Sequence, residues 1–224
     1  MTGGHESGAD SALAADRARA LELTPVSRET AARLDRFVEL LLEWQPRMNL
    51  IAASTVPALW TRHIADSLQL VPLAPNARTW IDLGSGAGFP GLVIACALTD
   101  IGATVHLIES TKKKAEFLVE AARHIGAPAE VHAVRIEDFV KKFRGEADVV
   151  TARALAPLTS LLGLAQPLLT SRAVGLFPKG QDVEAELTEA TKCWKFESSL
   201  VPSKTHLQSR VVIVRDLKRR DPKR

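Results

Sequence analysis

Apolar residues fall into two alternating periods along the chain. Leu34, Phe37, Val38, Leu41 and Leu42 recur at helical spacing, which predicts a helix capped by Ser27 or Thr24 and ended by Pro46. A second helix is predicted from a Ser or Thr cap near Thr55-Val56-Pro57 through Leu59, Trp60, His63, Ile64, Ser67 and Leu68. Pro72, Pro75 and Asn76 punctuate a linker after it. Residues 25–75 therefore read as a small helical cap, and the polar stretch 1–24 is expected to be a disordered or loosely helical tail.

From Thr79 onward the pattern changes. Short apolar runs beginning at Thr79 and covering 104–108, 130–134, 148–152 and 173–177 read as strands. Helical patterns separate them, around 112–124, 136–142, 157–168 and 182–192. Strands separated by helices imply a parallel sheet covered on both faces, an α/β architecture. The runs 195–201 and 210–217 have no helix between them and are expected to close the sheet as an antiparallel hairpin. This places a domain over 76–217 and leaves a basic tail over 218–224.

The stretch Thr79-Trp80-Ile81-Asp82-Leu83-Gly84-Ser85-Gly86-Ala87-Gly88-Phe89-Pro90-Gly91 organises this domain. It reads as a strand, a tight glycine turn and a helix start, a geometry in which a Cβ would obstruct both positive φ and the approach of a ligand to the backbone. Taken alone, Gly86 to Gly91 also satisfies the dinucleotide fingerprint G-x-G-x-x-G, which keeps an NAD-dependent oxidoreductase open. Asp82 opposes that reading, because a carboxylate at the strand end repels a pyrophosphate and suits the ammonium and sulfonium of S-adenosylmethionine. Glu109, at the end of the next strand, is placed to accept from ribose hydroxyls in either case.

Composition narrows the class without deciding it. The chain has 224 residues, 46% of them apolar and 25% charged, as in ordinary soluble proteins. The net charge is +3 and the pI is near 9.0, a modest pointer to a polyanionic partner. Cys96 and Cys193 stand far apart, so neither a disulfide framework nor a metal cluster is expected, and a cytoplasmic setting is. No apolar run reaches the roughly 20 residues of a membrane span. The six histidines show no metal-ligand spacing, and His106 is expected to be packed within its strand.

Other candidate chemistry lies at strand ends and on the cap. On a helix, His63, Asp66 and Ser67 share one face beside Arg62, and this face is expected to line the mouth above the glycine turn. A solvated face with a His–Asp pair is the alternative. Glu137 and Asp138, after the third strand, are placed either to take an adenine amine or simply to complement a helix dipole. Arg153 ends the fourth strand where amine methyltransferases carry an acceptor, and its guanidinium suits a phosphate, a carboxylate or the O6/N7 edge of guanine. Lys179 adds a cation on the same rim, and Lys112, Lys113 and Lys114 open a helix. Neither cysteine is placed for covalent pyrimidine chemistry.

Together, Asn49-Leu50, Arg62-His63 with Asp66-Ser67, the run Asp82 to Gly91, Arg153-Ala154 and Lys179-Gly180-Gln181 resemble the bacterial glucose-inhibited division protein B family, also called RsmG. The resemblance spans roughly residues 30–217. It implies a class I S-adenosylmethionine-dependent methyltransferase fold, a Rossmann-like seven-stranded sheet with its last strand antiparallel. It also implies methylation of guanine N7 in small-subunit ribosomal RNA, free or in the small ribosomal subunit or an assembly intermediate, with S-adenosylmethionine as donor and no metal. Gly84, Phe89, Ile136, Glu137 and Arg153 match the family's methyl-donor contacts, and Asp82, Gly86, Gly88 and Glu109 are expected to complete the donor site. Arg153, Lys179, Arg62 and His63 are the expected catalytic and RNA-facing set, in a monomer. After Asn49-Leu50 the family usually has Thr where this chain has Ile51. A non-catalytic RNA-binding module on the same fold is the remaining alternative.

Overall fold

The computed structural model of the chain describes residues 6–170 and 172–220, the side chains of residues 6–10 excepted. Of the stretch expected to be disordered or loosely helical, residues 1–5 lie outside the described residues and Glu6–Leu23 forms an ordered helix, α1. It lacks an apolar stripe, and polar contacts dock it. Asp16 accepts hydrogen bonds from the amide of Thr61, at 3.1 Å, and from its hydroxyl. Arg17 donates to both oxygens of Asp35, at 2.6 and 2.8 Å, and lies over the Trp60 ring. Such partners leave no periodicity to read.

Helix α2 covers Arg28–Met48, and the Ser27 hydroxyl caps it by accepting from the Thr30 amide. Pro46 does not end it. The proline sits in the last turn, where it removes one hydrogen bond, and the helix stops at Asn49, whose φ of 45° is left-handed and whose amide donates to Gln45 O. The rest of the cap is a 3-10 turn over Ala53–Ala58, a wide π-type turn over Trp60–Ala65, the short helix α3 at Asp66–Leu68, and a 3-10 turn over Val71–Leu73.

The strands are β1 (Thr79–Leu83), β2 (Thr104–Ile108), β3 (Ala129–His132), β4 (Val149–Thr151), β5 (Val174–Lys179), β6 (Trp194–Pro202) and β7 (Arg210–Arg219). They form one seven-stranded sheet in the order β3-β2-β1-β4-β5-β7-β6. The first five strands are parallel, and β7 runs antiparallel to both β5 and β6. Helices α4 (Gly91–Leu98), α5 (Lys112–Ile125), α6 (Ile136–Lys142), α7 (Leu158–Ala165) and α8 (Val183–Cys193) cover the two faces. Lys218 and Arg219, expected in the basic tail, instead belong to β7, where they pair with Lys195 and Trp194. Residues 221–224 of that tail lie outside the described residues.

Alternation along β1 sends Trp80 to the face shared with the cap, α4 and α5, and Ile81 and Leu83 to the face shared with α7. On the first face one continuous core joins Leu34, Phe37 and Leu41 of α2 to Val93 and Ile94 of α4 and Phe117 of α5. The Phe37 ring lies 5.4 Å from that of Phe89. The cap is thus packed into the sheet domain through the glycine turn itself.

Chain reversal on either side of β1 makes the β1–β4 junction the point where ligands bind in open parallel sheets. Asp148 secures this junction by accepting from the amides of Arg78 and Thr79, at 2.7 and 2.9 Å. Helix α4 comes so close to β1 that a Cβ on Gly91 would collide with Leu107 and stand 2.7 Å from Asp82 Oδ2. Gly91→Ala is therefore expected to destabilise the protein by about 1–3 kcal/mol, lowering its melting temperature by several degrees. An unshifted melting curve would show that the contact relaxes freely.

Candidate active site

The turn after β1 is built from three residues with positive φ, Gly84 at 71°, Gly86 at 56° and Gly88 at 94°. The amides of Gly84 and Ser85 both donate to Ile108 O at the end of β2, which holds the turn over the sheet edge. A Cβ on Gly84 would stand 2.7 Å from Leu155, whereas one on Gly86 would meet nothing nearer than 3.8 Å. Gly86 therefore presents bare backbone to open space, as a ligand cradle requires.

That space is a cavity of about 510 Å³ with Gly84, Ser85, Gly86, Ala87 and Phe89 on one wall. Leu50, Ile51, Thr55, Arg62, His63 and Asp66 come from the cap, Arg153 and Ala154 from the end of β4, and Thr205, His206 and Ser209 from the β6–β7 loop. A second cavity of about 630 Å³ lies across Arg153 and is lined by Ala154 to Pro157, Lys179 and Gly180. Asp66, Arg153, Ala154 and Ser209 border both.

Arg153 is the junction between cap and sheet. Its Nη2 donates to His63 Nδ1 at 2.9 Å, and its Nη1 donates to Arg62 O at 3.1 Å and approaches Asp66 Oδ2 at 3.5 Å. The guanidinium carbon also stands 5.1 Å from the centre of the Phe89 ring, on which His63 stacks at 4.9 Å. Since His63 Nδ1 accepts from arginine, its proton is assigned to Nε2, which donates to Thr55 Oγ1 at 3.0 Å; that hydroxyl donates in turn to Ala52 O. Burial, then Arg153 and Arg62, push the His63 pKa down to about 3. His63 is therefore neutral, bonded to Arg153 and stacked on the same Phe89 ring that the guanidinium meets.

The other expected residues divide sharply. Ser67 does not share the mouth with His63 and Asp66; it is buried and donates its hydroxyl to His63 O at 2.6 Å. Asp82 does not face a ligand either. Its side chain is 1% exposed, Oδ2 accepts from the Gly91 amide and Oδ1 from the Thr151 hydroxyl, so it braces α4 and β4 against β1. Glu109 is nearly buried and accepts from the amides of Gly86 and Thr111, at 3.0 and 2.7 Å, so it holds the glycine turn from the β2 side. Lys179 is not a free cation: Nζ donates to Glu186 at 2.7 Å and to Ala156 O at 2.8 Å. The same Glu186 accepts from the Leu158 amide, so this pair fixes the loop after β4. Gly88 is closed off by Leu92.

Ile136 and Glu137 stand at the start of α6, beyond the 510 Å³ cavity, with Glu137 exposed. Lys112 and Lys113 are exposed at the start of α5. Arg62 is exposed beside the mouth. Ile51 is buried, and its backbone is clamped at both polar atoms by the Gln45 amide. The β6–β7 loop was absent from the sequence reading. Thr205 donates to Asp66 at 2.9 Å, and the Lys204 amide donates to Gln69 at 2.8 Å, which ties this loop to the cap. Its only sequence signal is the polar run Ser203 to Ser209.

A sheet of this strand order with a reversed seventh strand, and a bare glycine cradle at the β1 end, defines a class I methyltransferase. The solved structure of a SAH-bound methyltransferase from Podospora anserina is similar in fold, with a TM-score of 0.60 at 14% identity over 85% of this chain and 97% of that one. A cofactor-bound protein from MTB, Rv0187, gives a TM-score of 0.57 at 14% identity over 82% and 89%. The family model for GidB, rRNA small subunit methyltransferase G, matches residues 30–213, and the chain belongs to that family. A relative from Bradyrhizobium sp. strain BTAi1 named ribosomal RNA small subunit methyltransferase G is 60% identical over 92% of this chain and 93% of its own. One of the same name from Nitrobacter hamburgensis is 58% identical over 93% and 80%. The oxidoreductase alternative is thereby set aside.

Burial lifts the Asp82 carboxyl to about 6, against the opposing hydrogen bonds from Ser85, Thr151 and Gly91 and the charge of Arg153. Its folded pKa is above its unfolded one, so the native state binds the extra proton and stability falls as pH rises between about 4 and 6. Unfolding titrations of wild type and Asp82→Asn across this window should diverge by roughly 3 kcal/mol, with wild type losing ground toward neutral pH. Parallel curves would mean that Asp82 ionises as freely in the fold as in the unfolded chain.

Proposed function

We propose that this protein transfers a methyl group from S-adenosylmethionine to N7 of a guanine in small-subunit ribosomal RNA. The reading rests above all on Arg153, which stands between the glycine-walled cavity and the cavity at the β4–β5 ends, in a chain of this family. The donor fits the first cavity: Gly86 offers open backbone and Phe89 an apolar wall. Ile136 and Glu137, at the start of α6 after β3, are the residues for the adenine, and Glu109 retains lone pairs for the ribose. Bound there, S-adenosylmethionine supplies an electrophilic methyl on a sulfonium.

Guanine N7 carries an in-plane lone pair and no proton, so attack on that methyl requires no general base. His63, held neutral, is suited to this chemistry because it supports Arg153 without competing for a proton. Alignment is then the main contribution, and held geometry is worth up to about 7–11 kcal/mol. The Arg153 fork is the group for the O6 side of guanine or a flanking phosphate, while Arg62 and the basic end of β7 bind RNA backbone. The protein works in the cytoplasm, and among the described residues no helix is long and apolar enough to cross a membrane. Lys179 takes no part in catalysis beyond holding the Ala156 loop.

Two measurements test this reading. Nucleosides released from small-subunit ribosomal RNA should contain less 7-methylguanosine when the gene is deleted, and purified protein should restore the modification on isolated subunits or deproteinised RNA. Equal 7-methylguanosine with and without the protein would refute the assignment. Arg153→Lys keeps the charge but loses the fork, so single-turnover methylation per folded molecule should slow by at least about tenfold, or ~1.4 kcal/mol. If that rate stays near wild type while the protein melts earlier, Arg153 serves only the join between cap and sheet.

A further inference from the structure

On the side of β2 away from β1, β3 is the edge strand, and its register pairs His106 with Glu130 and Ile108 with His132. His106, Glu130 and His132 therefore project from the same face of two adjacent strands, toward α6. Their ligating atoms all lie within 4.8 Å of one another. His106 Nδ1 stands 3.1 Å from His132 Nε2 and 3.3 Å from Glu130 Oε2.

Hydrogen bonding accounts for one of these contacts, His106 Nδ1 with His132 Nε2, while the Glu130 oxygen lies close to the same nitrogen as an ion-pair neighbour. A neutral ring nitrogen offers either one proton or one lone pair, yet His106 Nδ1 faces two partners at once. A cation at the centre removes the conflict, because all three groups can then aim lone pairs at one point. The spacing also suits zinc: bonds of 2.0–2.1 Å in a tetrahedron place neighbouring donors about 3.3–3.4 Å apart. Two imidazoles and one carboxylate form a borderline nitrogen and oxygen set, which favours zinc-like ions over magnesium or calcium.

The surroundings supply an apolar wall on one side and access on the other. Phe139 lies 4.8 Å from the His132 ring, Phe143 lies 5.3 Å edge-on from the His106 ring, and the two phenylalanines stack at 5.1 Å. Those contacts fix ring orientation, which an ordered site needs. The Glu130 side chain is 61% exposed, which leaves a route for the ion from solvent. Sequence spacing did not reveal the set, since its members come from two strands separated by the whole of α5.

We propose that His106, Glu130 and His132 bind a divalent zinc-type ion that joins the edge strand β3 to β2, with three protein ligands and a fourth position for water. The ion lies outside the cavity that holds the glycine turn and acts on the fold. Binding by the native state alone raises stability.

The full chain, stripped with a chelator, is titrated with zinc chloride and separately with cobalt chloride. One ion should bind per chain, the cobalt form should develop the visible absorption of a tetrahedral site, and zinc should raise the melting temperature. Glu130→Gln and His132→Gln should each weaken zinc binding by at least about tenfold, the scale on which ligand-sphere changes act. Should His132→Gln melt too early to titrate, Glu130→Gln, altered at an exposed position, carries the comparison. Failure of the wild type to take up one ion, undiminished affinity in the variants, or a cobalt–thiolate band showing capture by the exposed Cys193 would overturn the proposal.

Discussion

A single buried carboxylate holds the centre of this molecule together. Asp82 sits at the end of β1 and takes one hydrogen bond from the first residue of α4 and another from the last residue of β4. An uncompensated carboxylate in such a place would be prohibitive, and each bond offsets part of its desolvation. The arrangement has geometric consequences. The Gly91 amide must come within reach, so position 91 tolerates no side chain, and Thr151 must present its hydroxyl inward from β4. The turn between Asp82 and Gly91 is then confined to a short path over the sheet edge. Its three positive φ angles follow from that confinement.

The cap depends on the same turn. Phe89 leaves the glycine stretch to pack on Phe37 from one side, while His63 and Arg153 meet its ring on another. Residues from four separate parts of the chain, α2, the π-type turn, the glycine turn and the β4 end, thereby share one aromatic contact. Electrostatics reinforce it. Asp66 balances Arg153 and is itself held by Gln69 and Thr205, so the β6–β7 loop reaches the cap through a carboxylate. What divides along the sequence into cap and sheet domain is a single packed body around the cavity.

Much of this was legible in the sequence where the signal is local. The alternation of short apolar runs with helical patterns placed all seven strands and reserved the antiparallel pair for the end, because periods of 2 and 3.6 are properties of a few consecutive residues. The glycine turn announced itself for the same reason. Pairings between distant segments were not legible. Asp82 reads from the sequence as facing a ligand, whereas burial, the Gly91 amide and the Thr151 hydroxyl claim it, and Glu109 also holds the glycine turn through the Gly86 and Thr111 amides. Lys179 looked free because its partner Glu186 lies on α8, seven residues on. Helix α1 read as at most loosely helical because it has no apolar stripe and polar contacts share its docking with a few apolar ones, and the β6–β7 loop was missed because only its proximity to Asp66 makes it part of the site. Arg153, Phe89 and His63 were each legible in the sequence, and the structure added the contacts that join them.

That imidazole has a further consequence. Histidine is ordinarily the side chain that makes a protein responsive to mild acidity. Here burial, then Arg153 and Arg62, hold His63 uncharged down to about pH 3. The polar network at the mouth therefore keeps one arrangement of protons throughout the physiological range, with the arginine always donor and the ring always acceptor. The imidazole is thus insulated from mild acidity: at this one point of the mouth, the hydrogen bond that aims the guanidinium keeps its direction whatever the compartment.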